Sequence, residues 1–180
     1  MAVAADAVRT GSGGIDRVAE FVLSLDPAEI PASAMRRAAL LLLDSLGICA
    51  AAAPMEAGRI ARSVATRLYG AGTGEDACPM LFDGRPVSLA GAVFAAATQI
   101  DNLDGHDGYN PTKGHIGVVA APALIALTQA RPDLSGPEAL AALVVGYEVA
   151  GRAGMTPAVT GVDDDQGARV AATAARGRRG

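Results

Sequence analysis

The chain has 180 residues, a formal net charge of −4 and an apolar fraction of 51%, with aromatics at 3% and no tryptophan. That length suits one domain with a real core, which must be built from Ala, Leu, Val and Ile. The acidic balance gives no electrostatic case for a nucleic-acid partner, and no apolar run reaches membrane-spanning length uninterrupted, so no membrane partner is expected.

Residues 1–14 are small and polar and read as a flexible lead-in, without the basic start and apolar run of a secretory signal. Cys49 and Cys78 show neither a CxxC nor a zinc spacing. They read as buried or free thiols in a reducing compartment, so a cytoplasmic setting is expected. From Ile15 the apolar residues Ile15, Val18, Phe21, Val22 and Leu25 fall at helical spacing, until Asp26-Pro27 stops the helix. Residues 32–53 predict a long helix, apolar nearly all round at Leu40, Leu41, Leu42, Leu43 and Ile48, as in a central buried helix. Asp44 interrupts it. A buried carboxylate is costly without a partner, so Asp44 calls for a cap or ion pair, or else a catalytic role.

Pro54 ends that helix. Residues 55–69 predict another, with Ile60, Val64 and Leu68 facing inward and Arg59, Arg62 and Arg67 outside. The glycine-rich stretch 70–74 lacks GK[ST] and a strand-turn-helix setting, so it reads as a linker. Asp83-Gly84 between short apolar runs predicts a hairpin over residues 78–87. Ser88 is placed to cap the next helix, residues 89–100, where Gly91, Ala92, Ala95 and Ala96 give a slim surface. Residues 117–130 are again helical and apolar, ended by Arg131-Pro132. Ser135-Gly136-Pro137-Glu138 resembles a helix start, and that helix runs to about residue 154. Residues 155–180 carry Asp163-Asp164-Asp165 and an arginine-rich end without a sustained apolar face, and are expected to be disordered. The aspartate run lacks the glycine and distal glutamate of a calcium loop. The fold expected is mostly all-α, residues 15–154, with one small β-hairpin.

Between the two apolar helices 89–100 and 117–130 lies a stretch dense in ionisable groups. It holds Asp101, Asp104, His106, Asp107, Lys113 and His115, including both histidines and the only lysine of the chain. A loop joining two apolar helices opens at the mouth of the core, where acid–base chemistry is favoured; a solvated polar loop is the plainer alternative. A carboxylate–histidine metal site using Asp104, His106, Asp107 and His115 is a third and more distant reading, because their order matches no standard ligand spacing.

Four segments together resemble the MmgE/PrpD family: Asp44-Ser45-Leu46-Gly47, the helix end Ala97-Thr98-Gln99-Ile100-Asp101-Asn102, the loop from Leu103-Asp104-Gly105-His106-Asp107-Gly108 to Lys113-Gly114-His115-Ile116-Gly117, and Gly146-Tyr147-Glu148-Val149. The family includes 2-methylcitrate dehydratase, cis-aconitate decarboxylase and iminodisuccinate epimerase. The resemblance implies a large helical domain with a smaller α/β lid, a homodimer, and proton removal next to a carboxylate of a small polycarboxylate, with neither metal nor organic cofactor. It implies Asp104 and His115 as catalytic residues and matches Asp107 to a second aspartate of the family pattern; the chemistry of the loop adds His106 as a further acid–base candidate and Lys113, with Asp107, as a substrate contact. Gly108 stands where the family's dehydratases and decarboxylases carry a threonine, and one extra residue separates Pro111 from His115. Both departures count against dehydration and decarboxylation and leave proton shuffling open.

Family members are more than twice this long, and a lysine and another histidine further along complete their sites. The family motifs here run to about residue 154, and residues 155–180 read like a GC-rich gene in a shifted frame. The resemblance therefore implies a truncated lyase or epimerase with half a site, the lid domain absent, and little or no turnover. The alternative is a non-catalytic helical remnant or interaction module.

Overall fold

Alanine- and leucine-rich runs punctuated by proline and glycine fold into six α-helices and one two-stranded ribbon among the residues described, which in this computed structural model are 13–71, 77–112 and 114–159. The lead-in up to residue 12, most of the 70–74 linker, Lys113 and residues 160–180 lie outside them. The order is α1 (Gly13–Ser24), α2 (Ala32–Ala52), α3 (Glu56–Leu68), β1 (Ala77–Pro79), β2 (Pro86–Ser88), α4 (Leu89–Leu103), α5 (Gly117–Ala130) and α6 (Gly136–Val159). The all-α reading with a small hairpin is therefore what the structure shows.

Local chemistry sets the boundaries. The strands pair antiparallel, with Cys78 opposite Val87, and the intervening turn closes where the amides of Asp83 and Gly84 reach the Met80 carbonyl at 3.2 and 2.9 Å. Ser88 caps α4, its Oγ accepting from the Gly91 amide at 3.2 Å. Ahead of α6, Glu138 accepts from the Ser135 amide at 2.9 Å while Ser135 Oγ accepts from the Glu138 amide at 3.4 Å, a reciprocal capping box. α6 continues to Val159, one turn beyond the sequence expectation.

The central helix is α4, not α2. It packs against α2, α3 and α5, and its buried side is the expected slim surface of Gly91, Ala92, Ala95 and Ala96, with Gln99 and Ile100. Small residues let three helices approach one, which leucines would hold off. α2 is accordingly half exposed: Leu40 and Leu43 are 63% and 67% accessible, and Asp44 lies at the surface, where it requires no partner.

In α3 Arg59 and Arg67 are exposed as expected, but the apolar and small residues have changed places. Ile60 and Leu68 are exposed, and Gly58, Ala61, Arg62 and Ala65 are buried. The glycine–alanine stripe fits against α4, and Arg62 is carried in with it. Arg62 donates to Asp83 at 3.0 Å, to the Ala53 carbonyl at 2.9 Å and to Gln99 Oε1. That set satisfies the buried guanidinium and ties the hairpin turn, the end of α2 and the middle of α4 together.

Candidate functional site

The loop between α4 and α5 gathers the candidate residues. α4 ends at Asp104, its C-cap, which sits in the left-handed region at φ 51° with its amide bonded to the Asp101 carbonyl at 3.1 Å. A left-handed residue turns the chain back at a helix end, and the ring of His106 thereby drops inward until its side chain is only 1% exposed. Further along, the Tyr109 amide donates to the Gly114 carbonyl at 2.9 Å, and the Thr112 amide and hydroxyl both reach the Tyr109 carbonyl at 3.0 Å. The short turn Asn110–Thr112 packs on α6 at Gly154, where a Cβ would lie 2.8 Å from Thr112 Cγ2.

This closure brings His115 back onto the start of the loop. His115 Nδ1 lies 2.8 Å from the carbonyl oxygen of Asp107, and the two histidine rings meet edge to face with centroids 4.2 Å apart at 77°. His106 Nε2 is 3.6 Å from Asp101 Oδ1 and 4.0 Å from Asp104 Oδ1. His115 and Asp104 are exposed, while the Asp107 carboxylate turns inward. α5 begins two residues after His115, and no side chain caps its N-terminus, so its first amides face the loop.

Asp107 Oδ1 and Tyr147 Oη converge over Gly117, where a Cβ would collide with both. Burial pushes the Tyr147 phenol up, and the neighbouring Asp107 carboxylate pushes it further. Among the described residues, four buried side-chain nitrogen and oxygen atoms have no partner at hydrogen-bonding distance and angle, and all lie in this cluster: His106 Nδ1 and Nε2, and Asp107 Oδ1 and Tyr147 Oη, which face each other. Unpaired buried polar groups are rare and costly, and here they gather around one loop.

Two hollows flank the loop. One, of about 300 Å³, is lined by Gly108, Tyr109, Asn110, Gly114 and His115. The other, of about 430 Å³, has Arg37, Asp107 and Tyr147 in its wall, and the two share Gly108 and Tyr109. Of the residues singled out in the sequence, Asp104, His106, Asp107 and His115 are thus brought together, while Lys113 lies outside the described residues. Arg37 and Tyr147 are not among them. The signal that could have found Tyr147 is its place in Gly146-Tyr147-Glu148-Val149; no local signal distinguishes Arg37 from Arg36.

The model of the MmgE/PrpD N-terminal domain matches residues 16–178, from α1 through α6 and on past residue 154. Among curated proteins and solved structures, none matches this chain.

Proposed function

The chain belongs to the MmgE/PrpD family, and on that premise we propose that it carries the proton-abstracting part of a lyase or epimerase site acting alpha to a carboxylate of a small polycarboxylate. The observation that supports this most is the contact of His115 Nδ1 with the Asp107 carbonyl. A carbonyl can only accept, so Nδ1 carries the proton and Nε2 holds the lone pair, as a general base requires. When Nε2 takes a proton, the Nδ1–H still donates to the same carbonyl, and the ring keeps its orientation through the transfer.

The surroundings fit an anionic substrate. The uncapped first amides of α5 favour a carboxylate, and Arg37 offers a second cationic contact across the shared wall. Lys113 is the remaining cation of the loop and belongs to the proposal as a substrate contact. Asp104 and His106 stand beside the base and influence its charge. Asp107 holds the base through its backbone and, through its carboxylate with Tyr147, forms the polar floor. Removal of the alpha proton leaves a carbanion stabilised by the adjacent carboxylate. That carbanion either expels a neighbouring group or takes a proton back on the other face.

The 180 residues contain two histidines and one lysine, all in this loop. The further lysine and histidine that the resemblance implies therefore have no counterpart elsewhere in them, and we expect slow turnover from the chain alone. Acid–base groups that act as a unit lose most of their effect when a partner is absent. Pairing with a second copy is part of the same proposal, supported by the exposed Leu23, Leu40 and Leu43, and so is a cytoplasmic setting. Incubation with a citrate- or iminodisuccinate-type acid in deuterated water tests the site: any exchange at the carbon next to the carboxylate should vanish in His115→Ala. Exchange that persists in His115→Ala would contradict the assignment.

A further inference from the structure

The side chains of Asp104, His106 and His115 each offer one ligand atom, and these atoms lie within 4.8 Å of one another. We propose that the three residues form a binding site for one borderline divalent cation of the zinc type. Their positions in sequence do not suggest it; the site exists because the left-handed turn at Asp104 and the return of His115 to the Asp107 carbonyl close the loop on itself.

Three features carry the proposal. The His106 side chain is 1% exposed, and neither ring nitrogen has a hydrogen-bond partner. A buried imidazole in that condition has both its N–H and its lone pair unmet, and a metal ion is one group that takes the lone pair. His106 Nε2 faces two carboxylates, Asp101 Oδ1 at 3.6 Å and Asp104 Oδ1 at 4.0 Å, both too far for a hydrogen bond. A tetrahedral ion with bonds of about 2.1 Å places its ligand atoms roughly 3.4 Å apart. Closing the set from 4.8 Å to that spacing requires the exposed Asp104 carboxylate to move inward.

The second feature is the tautomer of His115. With Nδ1–H donating to the Asp107 carbonyl at 2.8 Å, Nε2 presents its lone pair and the ring is held from behind, as in metal-bound histidines generally. The third is the donor set. Two imidazoles and one carboxylate suit zinc, cobalt, nickel or copper, whereas calcium and magnesium prefer all-oxygen shells. Three protein ligands leave positions open for water or an anion.

An ion that takes the lone pair of His115 Nε2 would block the proton transfer that uses it. This consequence rests on the function proposed above; the binding itself does not. The test therefore reads binding alone. Untagged, chelator-stripped protein is titrated with Co²⁺ in a carboxylate-free buffer, following the visible absorption of the bound ion, and Zn²⁺ is then used to displace it. One equivalent should bind, with the dissociation constant raised at least tenfold in His115→Ala and in Asp104→Asn. Both positions are exposed, so these variants keep the fold, and asparagine tolerates the left-handed backbone at 104. His106→Ala should abolish binding; if it fails to fold, the two exposed variants decide. Binding that is not stoichiometric, or that neither exposed variant weakens, would overturn the proposal. So would a larger loss in Asp101→Asn than in Asp104→Asn.

Discussion

His115 Nδ1 lies 2.8 Å from the carbonyl oxygen of Asp107, eight residues earlier in the chain. That single bond fixes the tautomer of the exposed histidine. In ¹⁵N NMR of the neutral ring, His115 should give the Nδ1-protonated pattern in place of the Nε2-protonated form usual for free imidazole. An Nε2-protonated His115 would remove both its role as base and its role as metal ligand.

Gly108 stands where the resemblance places a threonine, and the structure leaves room for one. A Cβ there meets His115 only at 3.9 Å, an ordinary contact, and Gly108 is not among the glycines with positive φ. Gly108→Thr should therefore leave stability within about 0.5 kcal/mol in urea unfolding, the usual range for a substitution without a clash. The added hydroxyl should tighten binding of a tricarboxylate, read by calorimetry. A loss of stability well beyond that range would show that the loop has another shape.

Arg62 joins the hairpin turn, the end of α2 and α4 from a buried position. Arg62→Ala should cost about 2 kcal/mol in urea unfolding, because it strands the buried Gln99 acceptor, while Asp83 keeps its ion pair with Arg85. Arg62→Lys should recover only part of that, since an ammonium cannot reach three acceptors with a planar fork. Equal stability of all three proteins would contradict the buried network.

Both thiols are buried. Burial pushes Cys49 from 9.0 up to about 11, against smaller lowering effects from Gln99 and Arg62, and burial raises Cys78 as well. Between about pH 9 and 11 the unfolded chain has released thiol protons that the folded chain still holds. Stability should therefore fall as pH rises through that window, and Tyr147 adds to the fall in the same direction. Unfolding midpoints measured from pH 8 to 11 check this, and neither thiol should react with Ellman's reagent at pH 8 until the chain unfolds.

The element types and the loop were legible in the sequence because apolar spacing, Pro and Gly breaks and the Ser88 cap are local signals. The packing was not. A helix with a leucine face and an alanine face does not reveal which face is inside, and in α3 the alanine stripe was chosen because α4 offers a slim partner. Arg62 went inward with it, against the usual rule for arginine. The same local character explains the site. The density of His and Asp over residues 101–115 was visible, whereas the contact of His115 with a backbone carbonyl and the floor made by Tyr147 depend on how α6 crosses the loop.

The most direct measurement is an NMR titration of metal-free protein with citrate, following the ring signals of His106 and His115, with acetate at matched ionic strength as the comparison. If the loop recognises polycarboxylates beside a general base, the His115 signals should shift saturably with citrate and His106 should follow through the ring contact, while acetate leaves both unchanged. Unmoved histidine signals, or equal shifts with acetate, would contradict a polycarboxylate site in this loop.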